Sequence, residues 1–201
     1  MSPRLSLAPI PGDAPGAASP EDDAPPRATF TPSEARPVFA GVYAEHFELV
    51  WRSLRHLGVP AVALDDAVQD VWLVVHRRLP EFDGRSKVST WLFGISINVA
   101  RARRRARQER HPSEPLPEGL PSAGLDPERA LASRRAWTLV QTFLDELPEL
   151  TRAIFVSTLL ENFSPAETAA ATGLDVSTVY HRVRALRRSF QRFMQRNPEV
   201  F

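Results

Sequence analysis

Apolar side chains recur along this chain in helical steps rather than in alternation. Phe39, Val42, Tyr43, Phe47, Val50, Trp51 and Leu54 predict a helix from Phe39 to Leu57, stopped by Gly58 and Pro60. Val68, Val71, Trp72 and Val75 predict a second, from about Asp65 to Leu79. Pro80 and Gly84 bracket a short loop, and a third helix is expected from near Ser86 to about Arg107. Further on, Trp137, Val140, Phe143, Leu144 and Leu147 mark another helix, with Asp126 as its cap, Pro127 in its first turn and Pro148 as its stop. Glu149 to Glu161 is the next. Ser164-Pro165-Ala166-Glu167 has the form of a capping box with proline at the first helical position. Gly173 closes that short helix, and Asp175 is placed to cap a long last one, Val176 to Gln195. No strand pattern is present, so the expected class is all-α.

Proline divides these helices into two groups. The stretch from Met1 to Pro37 holds nine of the 19 prolines, mixed with Gly, Ala, Ser and acids, and is expected to be a disordered tail. A second proline-rich run, 109–127, reads as a flexible linker. Two small helical domains remain: a three-helix unit over 38–108 and a four-helix unit over 128–196. Each has about 70 residues, near the lower size for an independent core.

Net charge is only +1, so bulk charge points to no partner. Its distribution does. Five arginines and no acid lie between Asn98 and Arg107, and six arginines and no acid between Val176 and Arg196. Lys87 is the only lysine. Arginine offers planar forked donors suited to phosphate and guanine, although an arginine-rich codon bias accounts for the same preference. There is no cysteine, which excludes disulfides, thiolate metal sites and cysteine nucleophiles. No apolar run approaches the roughly 20 residues of a membrane span, and the amino terminus lacks a signal-peptide core, so a cytoplasmic protein is expected.

Ser164 to Arg188 has the layout of a helix-turn-helix: a short capped helix, a glycine turn and a longer helix with a polar first half. Ala169, Ala170, Leu174, Val176, Val179 and Val183 would form the seam. Ser177, Thr178, Tyr180, His181, Arg182 and Arg184 would face outward, where a helix in the major groove reaches base edges. Arg187, Arg188 and Arg192 suit phosphates. A helical hairpin with a solvated basic face is the plainer reading of the same pattern.

Asp66, Gln69 and Asp70 fall at i, i+3 and i+4 and share one helix face. That face is either solvated or a dock for a basic partner helix. Phe82, Trp91 and Phe93 lie beside a polar loop, where aromatics can stack on unpaired bases. Taken singly, each aromatic is more readily read as core than as a stacker. The arginines from Arg103 to Arg107 would also suit a solvated helix end through the helix dipole. Nothing has the layout of a catalytic site. His46, His56, His76, His111 and His181 show no metal-ligand spacing, and there is no phosphate-cradling glycine loop or nucleophile elbow. The expectation is no catalytic residue, no metal, no cofactor and no small-molecule substrate.

With these segments in order, DDAVQDVW, LPEFDGRS, STWLFGISIN and LDELPELTRAIF followed by the helix-turn-helix, the chain resembles an extracytoplasmic-function (ECF) sigma factor of bacterial RNA polymerase over about Phe39 to Phe193. The resemblance implies a promoter-specificity subunit that joins core polymerase, reads a minus-ten and a minus-thirty-five element and helps open the strands. Asp66, Gln69 and Asp70 match the surface for the polymerase clamp helices. Phe82, Asp83, Gly84, Arg85 and Ser86 match the loop that captures a flipped minus-ten base. Trp91 matches the melting segment, and Asn98 and Arg101 match positions facing the minus-ten strand. Ser177, Thr178, His181, Arg182 and Arg184 match the minus-thirty-five helix, with Arg188 beyond them. The linker would thread toward the active cleft of the polymerase.

Two positions depart from the family. Gly94 stands where a large basic residue is usual, and Tyr180 where Lys or Arg is usual. The resemblance further implies an anti-sigma factor as partner, often one that holds the sigma factor at the membrane and away from the nucleoid. An ordinary helix-turn-helix repressor or activator, with 38–108 as sensor or dimerisation domain, is the alternative, and would bind palindromic duplex without polymerase.

Overall fold

The computed structural model describes residues 37–110 and 127–197. The expected tail, most of the expected linker and the proposed cap Asp126 lie outside them. Among the described residues there are seven α-helices: α1 (Phe39–His56), α2 (Leu64–Arg78), α3 (Val88–Arg110), α4 (Pro127–Asp145), α5 (Glu149–Phe155), α6 (Pro165–Thr172) and α7 (Val176–Gln195). Short 3-10 turns precede and follow α2, and one π-helical turn, Val156–Leu160, extends α5. Among the described residues there is no strand. The fourth helix begins at Pro127, as its first-turn proline indicates, whereas the third runs through Arg110, past the expected end near Arg107 and into the start of the expected linker.

Helices α1, α2 and α3 pack on one another as the first unit. Val50, Leu54, Val71, Val75, Leu92 and Phe93 are fully buried there. The first helix ends at Gly58, whose φ of +89° is the left-handed conformation that only glycine adopts without strain. In the second unit, Val179, Val183 and Leu186 form the buried stripe of α7 and seat it on α5 and α6. Phe143, Phe155, Phe190 and Phe193 extend that core as a ring cluster with centroids 5.1–5.3 Å apart.

The two units are not separate bodies. One buried apolar cluster runs through both, and α3 packs directly along α6. The segment Ala153-Ile154-Phe155-Val156-Ser157 is buried at every position. A helix buried on all sides must lie between two cores, and here α5 and its π turn lie between the first unit and α7. The expected single helix Glu149 to Glu161 is therefore corrected: α5 stops at Phe155 and the chain widens into the π turn. Glu161 donates its backbone N–H to Val156 O at 2.9 Å, and Asn162 follows at φ +56°. Asparagine tolerates that left-handed geometry, which turns the chain toward α6.

Candidate nucleic-acid interface

Helix α2 begins with Asp65 and Asp66 in its first turn, favourable against the helix dipole. Asp66 and Gln69 are exposed, and Asp70 is half-buried on the same face. A basic residue already sits there, from the same unit. Arg103 on α3 donates through Nε to Asp70 Oδ2 at 2.9 Å and lies 3.7 Å from Asp66 Oδ2. The arginine run at the end of α3 is thus partly an internal brace rather than a wholly solvated helix end.

The loop from Phe82 to Lys87 joins the 3-10 turn after α2 to α3. Gly84 has φ +71°. Asp83 accepts the backbone N–H of Arg85 at 3.1 Å and pairs with its Nε at 2.9 Å, with both side chains mostly exposed. Phe82 and Trp91 pack ring to ring, centroids 5.1 Å apart, and both are partly buried. Phe93 takes the core reading: it is 1% exposed and in edge contact with Phe163 of the second unit, and it cannot stack on a base from there. Asn98 is exposed, whereas Arg101 lies 3.4 Å from Glu149 of α5.

The helix-turn-helix is built as its residues require. Ser164 Oγ accepts the Glu167 backbone N–H at 3.2 Å, and Glu167 Oε2 accepts the Ser164 backbone N–H at 2.8 Å, a complete capping box. Gly173 at φ +72° donates to Ala169 O and ends α6. The seam needs three corrections. Ala169, Val179 and Val183 are buried, but Ala170 is exposed and Val176 is 37% exposed. Thr168 takes the inner position instead, bonded to the buried Ser157 hydroxyl at 3.1 Å. Asp175 occupies the cap position of α7 without a capping bond from its side chain. On the outer face Ser177, Tyr180, His181, Arg184 and Arg188 are exposed, with Thr178 and Arg182 half-buried beside them.

Residues with no motif of their own hold the two units together. Arg52 of α1 makes a bidentate pair with Glu161, at 3.1 Å and 2.6 Å, although the Glu161 side chain is only 2% exposed. His56 Nδ1 lies 3.6 Å from the same carboxylate, and its ring packs 4.6 Å from Trp137. Burial would raise the Glu161 carboxyl, but His56 and Arg52 outweigh it and hold it below its usual value. Burial lowers the His56 imidazole despite the pull of Glu161. Lys87 Nζ meets Glu167 Oε1 at 2.6 Å. Arg152 of α5 donates to Leu57 O at 3.4 Å and pairs with Asp145 at 3.2 Å. A Cβ on Gly58 would fall on the Arg152 guanidinium. In the sequence Asp145 and Glu161 carry no motif, and Glu167 is legible only as half of a capping box.

Gly94 has a structural reason. A Cβ there would lie 3.3 Å from the Ala171 carbonyl oxygen, so a larger side chain would hold α6 off α3. Among the described residues no three His, Asp or Glu side chains converge as a metal site, and no helix is long and apolar enough to cross a membrane.

Residues 42–110 match the sigma-70 region 2 family and residues 138–189 match sigma-70 region 4. The ECF sigma factor SigM of Mycobacterium tuberculosis is 31% identical over 161 residues, 79% of this chain and 78% of its own length. The chain belongs to the ECF sigma factors. The RNA polymerase sigma factor CnrH of Cupriavidus metallidurans is 30% identical over 72% of this sigma factor and 80% of CnrH. The structure of CnrH in complex with the cytosolic domain of CnrY has a TM-score of 0.59 at 25% identity, covering 78% of this chain and 87% of CnrH. RpoE of Bartonella quintana, in complex with the anti-sigma factor NepR, shares the fold, with a TM-score of 0.63 at 18% identity over 78% of this chain and 96% of RpoE. The protein is thus an RNA polymerase sigma factor that directs promoter-specific transcription through a region 2 and a region 4.

Proposed function

We propose that this sigma factor docks on the clamp helices of core polymerase through Asp66 and Gln69, with Asp70 held in register by Arg103. The loop Phe82, Asp83, Gly84, Arg85 and Ser86 captures a flipped minus-ten base, and Trp91, Asn98 and Arg101 line the path of the opened strand. Ser177, Thr178, His181, Arg182 and Arg184 read the minus-thirty-five duplex, with Arg188 on phosphate. The protein does no chemistry of its own and needs no cofactor or small-molecule substrate. It works in the cytoplasm on the nucleoid. An anti-sigma factor, the kind of partner bound to RpoE in the solved complex, restrains it and can hold it at the membrane.

One observation carries this reading. The outward face of α7 is exposed, with Arg184, Arg188 and Arg192 on it, and the whole segment from Val176 to Arg196 holds six arginines and no acid. That is the electrostatic footprint of a duplex-reading helix.

Run-off transcription with purified protein and core bacterial polymerase tests it, on DNA from upstream of the gene that encodes this chain. A discrete transcript is expected, and Asp66→Ala with Gln69→Ala is expected to abolish it while leaving the fold intact by circular dichroism. Specific binding to palindromic duplex by the protein alone, with no transcript, would replace this reading by that of an ordinary repressor or activator.

A further inference from the structure

Helix α7 exposes apolar side chains that its own packing does not use. Val179, Val183 and Leu186 form the buried stripe that seats it on α5 and α6. Val176 and Tyr180 lie off that stripe, 37% and 47% exposed. They fall at i and i+4, so they are neighbours on the helix surface. A tyrosine in a helix leans back over the preceding turn, here the turn that holds Val176 and Ser177. Among the described residues no hydrogen bond, ion pair or ring contact engages the Tyr180 side chain. A single exposed apolar residue needs no explanation. Two side by side do, in the first two turns of a helix and beside the exposed polar Ser177, His181 and Arg184.

The first turns of a groove-reading helix are the part that reaches base edges. There the major groove presents donors and acceptors on every base pair, and one apolar group, the C5-methyl of thymine. Against that methyl, the Val176 side chain and the Tyr180 ring bury carbon on carbon. Against guanine they would strip water from N7 and O6, and against cytosine from the amino group, with no partner in return. The Tyr180 hydroxyl can replace at most part of that loss. Phosphate is no better match, because an uncharged patch displaces no counterion. An arginine at position 180 would favour guanine, whereas the tyrosine ring offers guanine no forked donor.

We propose that Val176 and Tyr180 together read a thymine methyl group, so that the minus-thirty-five element of this sigma factor carries a thymine seated against the leading end of α7. The proposal rests on the sigma-factor reading above and adds two residues, and one base, to the duplex contacts assigned there. Discrimination comes from both sides: the methyl gains apolar contact, and a polar base edge in its place goes unpartnered.

Deoxyuridine differs from thymidine only by that methyl and supplies the test. Holoenzyme assembled from the full-length protein and core bacterial polymerase selects duplexes from a random pool. Each thymine of the enriched minus-thirty-five element is then replaced in turn by deoxyuridine. One replacement is expected to weaken holoenzyme binding about fourfold, the effect of burying one methyl group. Tyr180→Ala and Val176→Ala are each expected to cut that ratio to about twofold, and the two together to within about 1.5-fold of unity. Tyr180→Phe, which keeps the ring, is expected to keep the ratio. Arg188→Ala is expected to weaken both duplexes alike and to leave the ratio unchanged, which separates methyl reading from a general loss of affinity. An enriched element with no methyl-sensitive thymine would overturn the proposal and leave the sigma-factor reading standing. So would a ratio that is the same in the wild type and in all the alanine variants, since the methyl would then act through DNA stiffness or another side chain. A pool with no enriched pair of elements would end the sigma-factor reading and the proposal with it.

Discussion

Gly58 carries two demands at one Cα. Its φ of +89° disfavours any side chain, and the space a Cβ would need holds the Arg152 guanidinium. Gly58→Ala is therefore expected to destabilise the protein by about 2 kcal/mol or more, read as a lower midpoint in thermal or urea unfolding. Glu161 carries a different demand, because a carboxylate this deeply buried needs both its partners. His56 faces Glu161, Arg52, Arg55 and the Trp137 ring. Since burial lowers its imidazole in the folded chain, the neutral form is favoured there. The stability this contributes is present above the ordinary value of 6.5 and is lost as pH falls toward the lowered one. Glu161, also lowered, acts in the same direction at more acid pH. The thermal midpoint is expected to fall between pH 7 and pH 5.5, with a shallower fall in His56→Gln. The spacing of these residues gave no sign of this cluster, because Arg52, His56 and Glu161 lie up to 109 positions apart.

At the scale of elements, α6 is short and depends on its ends. Ser164 and Glu167 each satisfy a backbone donor of the other, so Ser164→Ala is expected to cost about 1 kcal/mol, measured by chemical unfolding. In α7, Arg188→Ala is expected to weaken binding to every duplex alike and to lower the slope of log affinity against log salt by about 1, whereas Arg184→Ala is expected to relax base preference. These helices were legible because capping chemistry and a 3.6-residue stripe act locally. The start of α7 follows from the turn at Gly173, although Asp175 makes no capping bond, and its buried side follows from the Val179, Val183, Leu186 stripe. The π turn after α5 was not legible. An unbroken apolar run indicates burial without saying against how many partners, and this one packs on two.

At the scale of the molecule, the two units close on one another through opposite charges. Salt screens exposed pairs such as Lys87–Glu167 far more than the buried Arg52–Glu161 pair. Raising salt from 0.1 to 0.5 M is therefore expected to loosen closure without abolishing it, read as a partial increase in radius of gyration by solution X-ray scattering. Arg52→Ala with Glu161→Gln is expected to complete the expansion. The sequence alone determined the helices, the turn glycines, the acid-free arginine face of α7 and membership of the sigma-factor family, because each depends on residues close together in the chain or on motifs in fixed order. Only the tertiary structure decided that Phe93 is core, that Arg101 meets Glu149, that Arg103 braces Asp70, and why Gly94 is small. Periodicity assigns a side chain to a face of its helix. Which surface that face will meet is set by packing across the whole molecule.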